Sequence, residues 1–513
     1  MTAVRPATDA SAARQIREFT AGRILTVADA VLGPTHPRTD VEREASSALS
    51  NLVGHLIGAP THPLAWLLLT AVSGAFPPAD DVRALHRAAQ LGGEQEVTLT
   101  LLDLALGAAQ VHQTADRPMR LVTGIVVDVD ASARSDFHNG IQRVARATIS
   151  AWRTHHEIEL VAWTDTAGIT RDLTPVEVRR AAHWGMPDDE VDAPGGTSPE
   201  APKSATEPRP ALVVPWESIV VLPEVPLVDR CPPLSALAEL SGNAVVAIGY
   251  DAIPVISADL RPPGEPDAFA AYLAVVKHSS RVAAISTSAK EEFAGFAHSL
   301  TSQGLRPPNV REIVLPSDVP PPPRGYVREE PAVPQVLCVG RLEPHKNHSG
   351  ILQAADRLWR EGLAFDLTLV GADGWSTTVV DRQLRALARD SRPIHRPGSI
   401  SDDEMWRLVR DASFSVFVSV HEGFGLPVAE SLACGTPVIT TSHGSQAQIA
   451  EQGGCLTVDP RNDDAIFQAM RALLTEPNTL RQLRAEAATR PARTWEDYAH
   501  DLWRFLIDGG DAR

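Results

Sequence analysis

FSVFVSVHEGFGLPVAESLACGTPVITT, residues 414–441, is the stretch on which the fold turns. FSVFVS (414–419) is an unbroken apolar run of strand length, and TPVITT (436–441) is a second strand candidate. The residues between them have helical length. Pro427 suits the first helical position, where its missing N–H costs nothing. Gly435 suits a helix C-cap, and Pro437 forbids continuation. Strand, loop, helix and strand in succession are the unit of a parallel sheet covered by helices.

The same alternation extends outward. QVLCVG (335–340), a helix near 348–361, FDLTLVG (365–371) and a helix near 378–390 precede the quoted stretch. VLPSDVPPPPRG (314–325) breaks the pattern with a run of prolines that makes a stiff connector. Before it stand further strand candidates: LVTGIVVDVD (121–130), IELVAW (158–163), AVVAIG (244–249) and VAAIS (282–286), with a helical stretch from Gly140 to Trp152. Residues 187–210, rich in Pro, Ser, Ala and Glu, read as a disordered insertion. Upstream the pattern is helical, because Leu49, Leu52, Val53, Leu56 and Ile57 share one helical face and Val82, Leu85 and Ala89 continue the style. The expected organisation is a helical module for docking over 1–118, an α/β domain over 119–318, a second over 325–487, and a closing helix over 488–508.

A chain of 513 residues exceeds one ordinary core. Its net charge of −17 excludes wholesale nucleic-acid binding and attraction of the whole surface to anionic lipid. Cys231, Cys338, Cys434 and Cys455 lack CxxC spacing and read as reduced cytosolic thiols. The opening MTAVRPATDASAAR has no signal-peptide order, and the longest apolar run, Leu64 to Phe76, is shorter than the roughly 20 residues a bilayer needs. The expectation is a cytoplasmic chain, at most peripheral to a membrane through its N-terminal helices.

The loop HEGFGLP carries the chemistry. Gly423 and Gly425 let the backbone approach a ligand, with amide N–H groups and the positive end of a helix directed at it. That arrangement suits an anion, yet Glu422 and Glu430 flank it. A ligand with an anionic middle and hydroxylated ends resolves the conflict, and a nucleotide sugar is such a molecule. The plain alternative makes Glu430 a helix-dipole residue and Glu422 a surface charge. GRLEPHKNH (340–348) also follows a strand and precedes a helix. The chain has only four lysines, so Lys346 departs from its arginine habit. With Arg341 it supplies two cations for a diphosphate.

These residues resemble the donor domain of family-4 glycosyltransferases, retaining enzymes of the GT-B fold. The Glu-x7-Glu element matches at Glu422 and Glu430, and the Gly-Arg-Leu-x-x-x-Lys-Asn element at Gly340, Arg341, Leu342, Lys346 and Asn347. RPGSISDDEMWRLVRDA (396–412) is similar to the family's segment for the nucleotide base, and TWEDYAHDLWRFL (494–506) to its crossover helix. The resemblance implies two Rossmann-like α/β domains facing a cleft. It implies that Arg341 and Lys346 hold the diphosphate, Glu430 the ribose and Glu422 the transferred sugar, with Gly423, Phe424, Gly425 and Leu426 offering backbone amides.

On the first domain DFHNGIQRV (136–144) resembles the family's glycine loop near the acceptor, which makes His138, Asn139 and Gly140 acceptor-side candidates. GYDAIP (249–254) resembles the His-Asp-x-x-Pro element and adds Asp251, but Tyr250 stands where the family often has histidine. Gln448 stands where relatives often carry glutamate. DVD (128–130) resembles the metal-binding acids of another glycosyltransferase fold, yet the two cations at 341 and 346 already do a metal's work, so no metal is expected. The implied activity is metal-independent transfer of a hexose to a hydroxyl acceptor such as a glycan or glycolipid. GDP-mannose is the first donor, because GIQRV-type loops are similar to those of surface-polysaccharide mannosyltransferases, and UDP-glucose is the second. The nucleotide sugar is a substrate, so no cofactor is called for. The alternatives are a GT-B isomerase or phosphorylase and a catalytically silent binding module.

Overall fold

The computed structural model describes residues 7–34, 40–136, 138–184, 209–328 and 330–510, with side chains from residue 14 onward. Of the expected insertion at 187–210, all but the last two residues lie outside the described ones.

Two sheets organise the chain. The first holds β1 (Met119–Asp128), β2 (Glu159–Trp163), β3 (Thr170–Asp172), β4 (Leu212–Leu222), β5 (Ala244–Gly249), β6 (Arg281–Ala284) and β7 (Asn309–Glu312). β1 pairs in parallel with β2 on one side and β4 on the other, and β5, β6 and β7 follow outward from β4. β3 lies antiparallel against β2. The second sheet holds β8 (Gln335–Val339), β9 (Asp366–Val370), β10 (Ile394–Gly398), β11 (Phe414–Phe417), β12 (Val438–Thr441) and β13 (Cys455–Val458). Its order is β10-β9-β8-β11-β12-β13, all parallel.

That order places a topological switch point between β8 and β11, where the connections leave in opposite directions and open a crevice at the strand carboxyl ends. GRLEPHKNH follows β8 and HEGFGLP follows β11, so both motifs meet at that crevice. In the first sheet the reversal falls between β1 and β4. Strand β4 is not among the strand candidates of the sequence. Pro215 within LVVPWESIVVL argues against a central strand, but the β1–β4 register shifts between Val122 and Gly124. Gly124 (φ +109°) and Glu217 (φ +51°) take up the irregularity.

Among the described residues five helices precede β1: α1 (Ala7–Leu32), α2 (Val41–Gly58), α3 (His62–Ser73), α4 (Ala79–Leu91) and α5 (Glu94–His112). Leu52, Val53 and Leu56 on α2 and Val82, Leu85 and Ala89 on α4 are buried, as their spacing predicts. They are not a detached module. One core runs from Trp66 and Phe76 into Trp163, Leu212 and Val220 of the first sheet. Phe76 meets Trp163 edge-on at 5.7 Å. The buried Arg23 of α1 donates to the carbonyls of Ala71 (2.9 Å), Ala115 and Arg117 (both 3.2 Å). The helices form a layer built onto the first domain.

A second core joins the two domains. Phe417, Phe424 and Val428 pack with Tyr250, Ile285 and Tyr498. The C-terminal helix Trp495–Leu506 returns to the first domain, where Trp152 Nε1 donates to the carbonyl of Ala499 at 2.8 Å. The architecture is the one the resemblance implies: two Rossmann-like domains facing a cleft, in the GT-B manner, with a helical N-terminal region. Among the described residues no helix is long and apolar enough to cross a membrane.

Candidate active site

A cavity of about 850 Å³ lies between the two domains. Every candidate from the sequence reaches it: His138, Asn139, Gly140 and Asp251 from the first domain, and Gly340, Arg341, Lys346, Glu422 through Leu426, and Glu430 from the second.

The second-domain wall is built by two loops. Gly340 (φ +151°) leaves β8, and a Cβ on the facing Gly371 would lie 2.1 Å from the Gly340 carbonyl oxygen, so the loops after β8 and β9 touch. Asn347 (φ +55°) caps the helix His348–Arg360 by accepting from Gly350 N at 3.3 Å. This brings Lys346 back toward β11, where its ammonium pairs with Glu422 and lies 5.2 Å from the Phe417 ring centroid. The β11 loop is pinned to its neighbour by Val420 N donating to the His345 carbonyl at 2.7 Å. Arg341 extends along the rim, its side chain 61% exposed and its Nη2 donating to the Asp373 carbonyl at 3.4 Å. An exposed cation at the rim and a paired one at the floor bracket the glycine loop.

Helix Leu426–Ala433 begins at Gly425, whose φ of +102° favours glycine. Pro427 takes the second helical position, one later than the sequence suggested, and Gly435 (φ +73°) follows the helix end as expected. Gly423 packs closely against the first domain. A Cβ there would stand 2.7 Å from Asp251 Oδ2 and 2.8 Å from the Tyr250 carbonyl oxygen. Ser286 Oγ donates to the Gly423 carbonyl at 2.6 Å, and Ser445 Oγ to the Glu422 carbonyl at 2.8 Å, which fixes the peptide planes of the loop.

Glu430 is 6% exposed, and its Oε1 receives Arg143 from across the cleft. Burial pushes its carboxyl above the usual range, against the opposing pull of Arg143. Arg143 lies in the quoted GIQRV segment, three residues after Gly140, and sequence reasoning passed over it. The cleft wall beside it holds Trp406 and Trp495, whose ring centroids are 5.6 Å and 5.8 Å from its guanidinium carbon.

The first-domain candidates divide. Asn139 accepts from Gln142 N at 2.9 Å in a capping box that starts helix Gly140–His155, so its side chain serves the fold. Gly140 faces Leu426, 3.7 Å from where a Cβ would stand. His138 stacks on Trp184 and accepts from Arg146 Nη1 at 2.9 Å. Burial, then Arg146 and Arg143, pull its imidazole down to about 4, which keeps the ring neutral at pH 7. Burial, with Glu292 next, pushes Asp251 up to about 6. Tyr250, in the place of the family's histidine, is buried and donates to the Pro223 carbonyl at 2.6 Å, a packing role.

Two other positions belong to the domain interface. Gln448 is absent from the cavity wall. Its amide donates to Glu312 at 2.7 Å and its oxygen accepts from Thr287 N at 3.1 Å, which ties the second domain to the first. His421 bridges Ser257 and Glu292 of the first domain, each at 2.8 Å. The acids of DVD are engaged internally: Asp128 accepts from Trp163 Nε1 at 2.7 Å, and Asp130 from Arg134 Nε at 2.6 Å. Among the described residues no group of three or more His, Cys, Asp or Glu side chains is placed to hold a metal ion.

Residues 327–490 match the Glycosyl transferases group 1 family. Over 131 residues, 25% of this chain and 34% of the relative, the chain is 34% identical to an O-antigen chain mannosyltransferase B of Escherichia coli. It is 33% identical over 121 residues, 24% of this chain and 15% of the relative, to a serotype-specific mannosyltransferase WbdA of Escherichia coli. The matched stretches thus span about a third or less of those relatives' own length. Anabaena HepE, solved with UDP and glucose, superposes with a TM-score of 0.49 at 12% identity, covering 75% of this chain and all of that one. Residues 327–490 are a domain of the Glycosyl transferases group 1 family.

Proposed function

We propose that the chain is a retaining, metal-independent hexosyltransferase that moves mannose from GDP-mannose, or failing that glucose from UDP-glucose, onto a hydroxyl of a glycan or glycolipid. One observation carries the reading. Two carboxylates, Glu422 and Glu430, and two cations, Arg341 and Lys346, line one cleft around a glycine loop at a topological switch point. The mannosyltransferase names of the relatives support the sugar.

In this reading Glu430 accepts from the ribose hydroxyls and Glu422 from those of the sugar. The amides from Gly423 to Leu426, with Arg341 and Lys346, hold the diphosphate. The bond between C1 of the sugar and the β-phosphate oxygen breaks, and its electron pair leaves with the nucleoside diphosphate. Lys346 and Arg341 neutralise the charge that grows there. The acceptor oxygen bonds to C1 on the same face, and its proton passes to the departing phosphate oxygen. The products are a glycoside of retained configuration and the free nucleoside diphosphate. The Lys346–Glu422 pair sets the floor cation beside the position of the reacting carbon.

The test is a thermal-shift screen against nucleotide sugars, followed by NMR of the product's anomeric proton. A stabilising shift with GDP-mannose, specific over other sugars, supports the donor. Transfer with excess EDTA stays near the untreated rate. Inversion at C1, or a collapse restored by manganese, overturns the mechanism.

A further inference from the structure

The cross-cleft pair of Arg143 and Glu430 is the strongest feature of the cavity that the reading above leaves unused. Four segments converge on one guanidinium. Arg143 projects from helix Gly140–His155, lies near Trp406 of helix Asp402–Asp411 and Trp495 of the C-terminal helix, and reaches the Asp318 carbonyl of the proline connector at 3.5 Å. A single Nη1 contact occupies Oε1 of Glu430. Arg143, Glu430, Trp406, Trp495 and Asp318 all line the same cavity.

We infer that Arg143 is a positioning residue of the donor site: by clamping one oxygen of Glu430 from the opposite domain, it aims the other at the ribose hydroxyls and makes the ribose subsite a joint product of both domains. This rests on the nucleotide-sugar reading of the cleft. The physical need for such a clamp is plain. A carboxylate this deeply buried is costly unless paired, and the charge it feels from helix Asp402–Asp411 is the like charge of Asp402. The thiol of Cys434, one turn along its own helix, is pushed up to about 11, first by burial, and stays neutral. Without Arg143 the carboxyl faces burial and Asp402 alone. It then takes up a proton more readily and becomes a weaker acceptor for hydroxyl groups. The clamp also links nucleotide binding to closure, since its two halves sit on helices of separate domains.

Titration calorimetry of the full chain with GDP and with UDP tests this at pH 7.5 and 5.5. Arg143→Met retains much of the stem beside the two tryptophans. It is expected to weaken nucleotide binding about tenfold or more at pH 7.5, the scale of a charged hydrogen bond lost, with a further loss at pH 5.5 larger than any the wild type shows. Arg143→Lys recovers part of the affinity. In a Glu430→Gln background Arg143→Met changes affinity by less than about twofold, because the two act as one unit. A Met variant that binds as tightly as wild type with the same pH profile overturns the clamp while leaving the nucleotide reading intact. Equal losses in both backgrounds also overturn it, since Arg143 then acts independently of Glu430. A wild type that binds neither GDP nor UDP overturns both readings.

Discussion

The two walls of the cleft are made differently. On the second-domain wall the charged groups and the glycine loop come from two short runs, 340–348 and 421–430, each folded by its own strand, turn and helix cap. From the first domain the groups that touch the 421–430 run include Arg143, Tyr250, Asp251, Ser257, Ser286 and Glu292, scattered over about 150 residues and brought together only by the tertiary fold. One wall is a set of local motifs and the other a tertiary assembly. Damage to the first should therefore be chemical and specific, and damage to the second should spread through the fold.

The sharpest break of that contrast is removal of residues 1–115. Loss of α1 to α5 bares the apolar face that Trp163, Leu212 and Val220 share with Trp66 and Phe76. The truncated chain is expected to be insoluble or to lack a cooperative melting transition, by circular dichroism and gel filtration. A soluble truncation that binds nucleotide would show the helices to be separable after all.

Within the second-domain wall, Lys346 and Glu430 should fail in distinct ways. In the proposed mechanism Lys346 faces charge that grows as the glycosidic bond breaks, and loss of such a preorganised partner costs on the order of 10²–10³ in kcat. Lys346→Ala should lower kcat on that scale, and arginine at 346 should restore it only in part. Glu430→Ala removes an interaction present equally before and during reaction, so donor KM should rise about 10- to 100-fold with a smaller change in kcat. Steady-state kinetics on the folded variants decide the point. A wild-type kcat for Lys346→Ala would break the leaving-group role.

How much was legible follows from the same contrast. The β8 and β11 loops announced themselves through glycine, proline and charge at fixed offsets, because their shapes are set within ten residues. Strand β4 is not among those candidates; it carries Pro215, whose cost is absorbed by a bulge that no local pattern displays. Arg143 stood inside a quoted motif, but its meaning depends on Glu430, which lies on a helix of the other domain. Gln448 reads in sequence only as a departure from the glutamate of relatives; it is an interface residue, and its partners Glu312 and Thr287 are distant in sequence. Asn139 carried a familiar sequence signal, an Asn followed three residues later by Gln, and it is a capping box.

Gly423→Ala probes the join between the walls. Its new methyl would stand 2.7 Å from Asp251 Oδ2 and 2.8 Å from the Tyr250 carbonyl oxygen. The carboxylate can swing aside, but the backbone oxygen cannot. Overpacking of this kind costs about 1–3 kcal/mol, and here it should be met by a slight opening of the cleft. The expected result is a lower Tm with a weakened donor KM and a nearly unchanged second domain by hydrogen exchange. Exchange protection lost equally in both domains would show that the contact is not a local hinge.

The smallest effect is the pH dependence of the His421 bridge. Burial lowers the imidazole pKa, but the hydrogen bond and charge of Glu292, with Asp251 and Glu422 nearby, outweigh it and hold the group above its ordinary value. A histidine raised on folding stabilises the folded chain fully below its unfolded value of about 6.5, and that contribution is lost as pH rises through the folded value. Asp251, pushed up to about 6 chiefly by burial, acts in the same direction, since its ionisation on going from pH 5 to 7 is resisted in the folded state. The two are separated by difference. Glu292 also accepts from Ala252 N at 2.6 Å, so His421→Gln should leave that carboxylate anchored while removing the titrating ring. The variant's stability should therefore fall less than that of wild type between pH 6 and 8, by under about 1 kcal/mol, the scale of a screened ion pair. Denaturant unfolding at several pH values measures it. Parallel curves for the two proteins would mean that Glu292 and Ser257 hold His421 by hydrogen bonds alone, and that the cleft is closed by packing and not by charge.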